Sequence, residues 1–190
     1  MLILGYSLSY LELFGSIFSL AAVILAAKGT IWNWPVGIIG QIFLFALFMN
    51  NHLYGQSILQ IIFTGISLYG WYYWGKDIGK KIKRLSTKYI LLTYSVMAIL
   101  CLLSGYILSF YQPQFALMDA STLVMSMVAV ILISKKILES WTIWILVDIL
   151  SVILFASKGI YLMTIEYIII CFIATYGLIN WIKLYKKQDG

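Results

Sequence analysis

One carboxylate stands where carboxylates are costly. Asp148 falls midway through the apolar run 140–157, and Trp141, Trp144, Asp148, Ser151 and Phe155 recur at intervals of three and four, so they share one face of a helix. An acid at the centre of a bilayer costs roughly 2.5–3.5 kcal/mol on insertion scales and marks a solute or ion pathway, or a packing contact with another helix. No Lys or Arg lies midway along any apolar run to pair with it. A second face of the same kind carries Trp34, Gly37, Gln41, Leu44 and Phe48. A third carries Gln56, Gln60, Ser67, Trp71 and Trp74, and two amides on a lipid-facing stripe would be left unsatisfied, so this face is expected to turn inward. For Gln60 an interhelical hydrogen bond and a contact to a solute's amide or hydroxyl are equally open.

Other chemistries find no support. His52 has no Ser, Cys or metal-ligand set placed to work with it and reads as a loop residue. Cys101 and Cys171 both sit in apolar runs, too isolated for a disulfide framework or a metal site. There is no phosphate-binding glycine loop, and no lysine midway along the last run to hold a retinal. The net charge of +6 is spread in short clusters between apolar runs without an RNA- or DNA-reading motif, so no nucleic-acid partner and no cofactor are expected.

The elements that position these residues follow from composition. With 63% hydrophobic and 11% charged residues in 190, the chain lies far from the soluble range of roughly 45–50% and 25%. It is expected to be an all-α integral membrane protein of about seven transmembrane helices, near 10–27, 33–51, 55–74, 89–110, 117–134, 140–157 and 160–182. The breaks are expected at Gly55, Pro113 and Gly159. The first run has no basic segment before it and reads as a retained helix rather than a cleaved signal. Of the thirteen basic residues, all but Lys158 fall on one side of this threading, including the cluster Lys76, Lys80, Lys81, Lys83, Arg84 and Lys88. That predicts the N-terminus outside and the C-terminus in the cytoplasm. Aromatic residues near the span ends (Trp32, Trp34, Trp71, Tyr72, Tyr73, Trp74 and Trp181) are expected to form interfacial belts unless they meet a solute. Glu12, Asp119 and Glu166 are expected at or near the interfaces.

The chain also matches itself. Sliding it by 107 positions places Ala22-Val23-Ile24-Leu25 on Ala129-Val130-Ile131-Leu132, Trp34 on Trp141, Leu47-Phe48 on Leu154-Phe155, Tyr54 on Tyr161, Tyr69-Gly70 on Tyr176-Gly177 and Trp74 on Trp181. Under this shift Gln41 and Asp148 are equivalent positions. Two three-helix repeats (about 10–74 and 117–182) joined by one linking helix (about 89–110) would run parallel, a 3+1+3 plan in a single transmembrane domain that usually encloses a midplane site between its halves.

Trp32-Asn33-Trp34-Pro35, Leu53-Tyr54, Leu59-Gln60 and Tyr69-Gly70-Trp71-Tyr72, with Glu139-Ser140-Trp141, Trp144, Lys158-Gly159-Ile160-Tyr161 and Gly177 to Trp181, resemble the PnuC family of vitamin transporters. The resemblance implies a fold similar to the SWEET transporters, a homotrimer in the bacterial inner membrane among its lipids, and facilitated diffusion of nicotinamide riboside with trapping by a cytoplasmic kinase. Thiamine or another nucleoside-like vitamin is the alternative, and a polytopic enzyme or structural subunit the alternative of a different class. Gly55-Gln56 stands where Ala-Asp is expected in that family, and Asp148 where Asn is common. A pyridinium or thiazolium ring is a flat cation, which aromatic faces and a carboxylate can hold. The candidate substrate contacts are therefore Trp141, Trp144 and Asp148 for the ring, and Gln41 and Gln60 for its amide or hydroxyls. Trp34, Trp71, Tyr176 and Trp181 complete the set.

Overall fold

The computed structural model describes every residue except 1, 4, 5, 8, 53, 77–80, 112, 113, 189 and 190. Lys80 of the basic cluster, the break at Pro113 and Leu53 of the family motif lie outside the described residues. The chain divides into two compact units, residues 1–80 and 81–190.

The first unit opens with a two-residue antiparallel ribbon, β1 (Leu2–Ile3) and β2 (Tyr6–Ser7), which the composition did not signal. Three helices follow: α1 (Tyr10–Ala27), α2 (Asn33–Asn50) and α3 (Tyr54–Gly75), with α2 packed on both neighbours. Ser9 caps α1 by accepting from the Leu11 N–H. Small residues let α1 and α2 approach closely: a Cβ on Gly15 would meet Leu44 at 2.8 Å, and one on Gly40 would meet Ser19 at 3.1 Å. Gly55 does not break the chain as the sequence suggested. It lies in the first turn of α3, and the turn before it is made by Asn51 and His52, the latter at φ 58°.

The second unit holds α4 (Thr87–Ser109), α5 (Ala116–Ser134), α6 (Ser140–Ser157) and α7 (Tyr161–Gln188), each packed on the next. Its core joins Met97 and Cys101 of α4 to Met125 and Ala129 of α5 and to Ile143 and Val147 of α6. Cys101 is thus the small core hydrophobe the sequence implied. Helix α7 runs six residues past the expected end at 182, because Lys183, Lys186 and Lys187 are good helix formers and favourable beside a helix C-terminus.

Among the described residues, six of the seven helices are by length and composition apolar enough to cross a membrane. The exception is α3: its 22 residues span about 33 Å at about 1.5 Å each, but Gln56, Ser57, Gln60, Thr64 and Ser67 lower its apolarity.

The turns of the two units repeat. Left-handed residues occur at Gly29 and Lys136, and at His52 and Gly159, each pair 107 apart. The bonds around them correspond as well: Thr30 N–H to Leu25 O and Ile137 N–H to Leu132 O, Trp34 N–H to Ile31 O and Trp141 N–H to Leu138 O. The corresponding sequences therefore fold into corresponding local geometry in both units.

Candidate functional site

In the first unit, a tryptophan is locked into a notch. Trp34, at the start of α2, stands edge-on to Trp74 with ring centroids 5.4 Å apart, and a Cβ on Gly70 would lie 2.4 Å from the Trp34 ring. Below the lock, the Gln41 Nε2 donates to Ser67 Oγ at 3.0 Å, while Thr64 Oγ1 stands 3.0 Å from Gln41 Oε1 and 2.8 Å from Gln60 O, its single proton shared between them. The Gln41 amide is thus satisfied at both ends by α3. Gln60, Ser67 and Trp74 are buried as expected of that stripe, whereas Gln56 and Trp71, expected on the same inward face, are exposed. Gln41, Phe45, Gln60, Ile61 and Thr64 line a groove of about 400 Å³ whose walls are otherwise apolar.

The second unit repeats the lock. Trp141 and Trp181 meet edge-on at 5.6 Å, and a Cβ on Gly177 would lie 2.8 Å from the Trp141 ring. These geometries correct the belt expectation for Trp34, Trp74 and Trp181, whose rings are buried inside their units. Trp32, Trp71 and Tyr72 remain exposed, and so does Tyr176. Trp144 is partly buried against the core of α4, α5 and α6.

What lies beyond the lock differs. Asp148 is only 1% exposed, and its Oδ2 has no hydrogen-bond partner among the described residues. Its surroundings come from α6 and α7: the buried Ser151 next to the Tyr167 phenol, with Asp148 within electrostatic reach of Tyr167 and Cys171. By the 107-residue shift, Tyr167 stands at the position of Gln60, Cys171 at that of Thr64 and Ala174 at that of Ser67. Both hydroxyl partners of Gln41 are therefore replaced, and Asp148 Oδ2 keeps an unfilled acceptor. An unpaired buried acceptor of this kind costs several kcal/mol unless a donor reaches it. Reading the residues singly missed Thr64, Tyr167 and Cys171. Tracking the neighbours of Gln41 through the shift would have found them.

Of the acids expected near the interfaces, Asp119 is paired at the end of its helix. Lys158 Nζ reaches both oxygens of Asp119 at 2.9 and 3.0 Å and lies over the Phe115 ring. His52 is exposed in its turn.

Long apolar helices carrying a few buried polar residues define a polytopic helical protein of the membrane. The chain belongs to the nicotinamide mononucleotide transporter family, whose model matches residues 9–183. It is 30% identical to the nicotinamide riboside transporter PnuC of Escherichia coli, over 98% of this chain and 90% of that one. It is 26% identical to the riboflavin/roseoflavin transporter of Streptomyces davaonensis, over 94% and 87%. The crystal structure of the vitamin B3 transporter PnuC shares the fold, with a TM-score of 0.75 and 24% identity over 94% of this chain and 83% of that chain. The chain is accordingly a multi-pass inner membrane protein.

Proposed function

We propose that the protein carries a small vitamin with a flat cationic ring across the membrane, nicotinamide riboside foremost. The observation that carries this reading is Asp148, a buried carboxylate with an unfilled acceptor on the helix face that also carries Trp141 and Trp144. A ring cation beside it would offset the charge, and a ribose or amide donor would fill the acceptor. Trp144, on the same face of α6, supplies an aromatic surface in that unit, with Tyr176 on α7, while Trp141 and Trp181 are locked on one another. In the first unit, taken by itself, Gln60 and Trp71 remain candidate contacts, whereas Gln41 is closed on α3 and Trp34 is seated on Gly70. The corresponding turns and locks support reading the two units as repeats of a 3+1+3, SWEET-like plan with all seven helices in the membrane.

Transport is by facilitated diffusion, since the sequence has neither a nucleotide loop nor a midspan basic relay, and a cytoplasmic kinase makes uptake one-way by trapping the solute. The N-terminus faces outward and the C-terminus the cytoplasm, and the protein assembles as a homotrimer. Likeness to a riboflavin/roseoflavin transporter favours one second reading, a neutral-ring vitamin. That ring would stack on the same tryptophans without using the charge of Asp148.

Purified protein in liposomes tests the proposal. Labelled nicotinamide riboside should equilibrate across the membrane unchanged, without accumulating under any imposed proton or sodium gradient. Gradient-driven accumulation, or chemical conversion of the solute, would overturn it.

A further inference from the structure

At one end of the second unit, three chain segments are fastened together so that their apolar residues turn inward and their lysines, apart from the buried Lys136, outward. Residues 82–85 lie along the α5–α6 turn: Lys83 N–H donates to Lys136 O and Leu138 N–H to Lys83 O, both at 2.9 Å. Glu139, buried, takes the Leu85 N–H at 3.1 Å and the Arg84 Nε–H at 3.3 Å. The Ile82 N–H donates to Gln188 Oε1 at 3.0 Å, which brings the end of α7 to the same place. Ile82, Ile137 and Leu138 are buried beneath this seam. Lys81, Lys83, Arg84, Lys88, Lys135, Lys183, Lys186 and Lys187 are exposed around it. Among the described residues of these segments, Glu139 is the one carboxylate, and it is spent on the seam.

The position of this shelf follows from helix length. All four helices of the unit are apolar enough to cross a membrane, and the 28 residues of α7 extend about 42 Å at about 1.5 Å per residue. The hydrocarbon core measures roughly 30 Å. The last turns of α7, with their three lysines, therefore stand at headgroup depth when the apolar part is centred.

We infer that this fastened shelf is a binding surface for the phosphodiester headgroups of anionic phospholipids. The argument is charge complementarity on a fixed frame. Seven exposed lysines drawn from three segments at headgroup depth match phosphates arrayed in a leaflet, and the seam of Glu139 with Arg84 holds two of the segments in place without their own ordering on binding. Glu139 is a positioning residue here.

The test is native mass spectrometry of the detergent-purified protein titrated with phosphatidylglycerol or with zwitterionic phosphatidylcholine. Phosphatidylglycerol should be retained about tenfold better, with the advantage falling as salt rises. The triple variant Lys183→Gln, Lys186→Gln, Lys187→Gln should lose most of that advantage, while Lys158→Gln at the opposite end keeps it. Glu139→Gln sharpens the result: it raises the net positive charge, so a patch acting by charge alone would retain more anionic lipid, whereas a shelf that depends on the seam retains less. Equal retention of the two lipids would overturn the proposal, as would an undiminished advantage in the triple variant, a gain in Glu139→Gln, or displacement of the lipid by millimolar inorganic phosphate.

Discussion

Gln41 and Asp148 occupy corresponding places in the two units, under corresponding tryptophan locks, yet one is answered by its own helices and the other is not. Gln41 meets Ser67 and Thr64, so its amide is closed inside the protein. Asp148 has Cys171 and Ala174 at the positions of those hydroxyls, and its Oδ2 stays open. The difference teaches that the frame and the chemistry are set separately. Turns, glycines and locks correspond between the units, while substitutions between α3 and α7 leave the Gln41 amide answered and Asp148 Oδ2 open.

The scaffold half of that comparison predicts the largest effects. Gly70→Val and Gly177→Val each drive a side chain into a tryptophan ring that already rests against a second one, so each should cost upwards of about 3 kcal/mol or prevent stable insertion. Gly65→Ala, where the added Cβ meets open space, should be neutral or gain up to about 1 kcal/mol. Thermal unfolding of the purified variants in detergent separates them. If Gly177→Val were tolerated and Gly70→Val were not, the two locks would not be equivalent.

Transplanting the first unit's partners into the second sharpens the chemical half. Cys171→Thr with Ala174→Ser places hydroxyls where Thr64 and Ser67 stand in the other unit. The pair should raise stability by about 1 kcal/mol as Asp148 gains a donor, and weaken vitamin binding by about 1–2 kcal/mol because a solute no longer fills that acceptor. Tighter binding in this variant would mean that Asp148 does not face the solute. In the reverse direction, Ser67→Ala should cost about 1 kcal/mol of stability by leaving the Gln41 amide half-answered. Unfolding midpoints compared with wild type give both values.

The smallest effect concerns the turns. Lys136 holds the left-handed position that Gly29 fills in the other unit, and burial lowers the pKa of its amine from the ordinary value of 10.5. The unfolded chain therefore binds more protons between the lowered value and 10.5, so stability should rise with pH through that window. Lys136→Gly should remove this rise and relieve about 1 kcal/mol of backbone strain. Melting curves of both proteins at neutral and alkaline pH provide the check, and an identical pH dependence would assign the slope to other groups.

Much of this was legible in the sequence because apolar runs announce their own length. The helix boundaries of α1, α2, α5 and α6 fall within about two residues of those read from hydropathy. Asp148 was legible for the same reason, as a charge in a place that disfavours charge. The locks were less so. Trp34, Trp74 and Trp181 lie near helix ends, where belts are ordinary, and nothing in a single tryptophan distinguishes a ring facing lipid from one seated on a glycine of the next helix. Only the pairing of Trp34 with Gly70 and of Trp141 with Gly177 reveals it, and that is a fact of packing. The Glu139 seam was hidden too, since a backbone bridge between residue 83 and residues 136–138 leaves no side-chain pattern.

The account turns on what fills the open acceptor, and a paired binding measurement on Asp148→Asn addresses that most directly. Wild type and variant are titrated calorimetrically, on matched preparations, with nicotinamide riboside and with a neutral nucleoside of similar shape. The variant should fold and insert, since an amide is less costly than an acid in this setting. Its affinity for the cation should fall by about 1–3 kcal/mol while its affinity for the neutral ligand holds. Equal losses for the two ligands would contradict the account and assign Asp148 to packing.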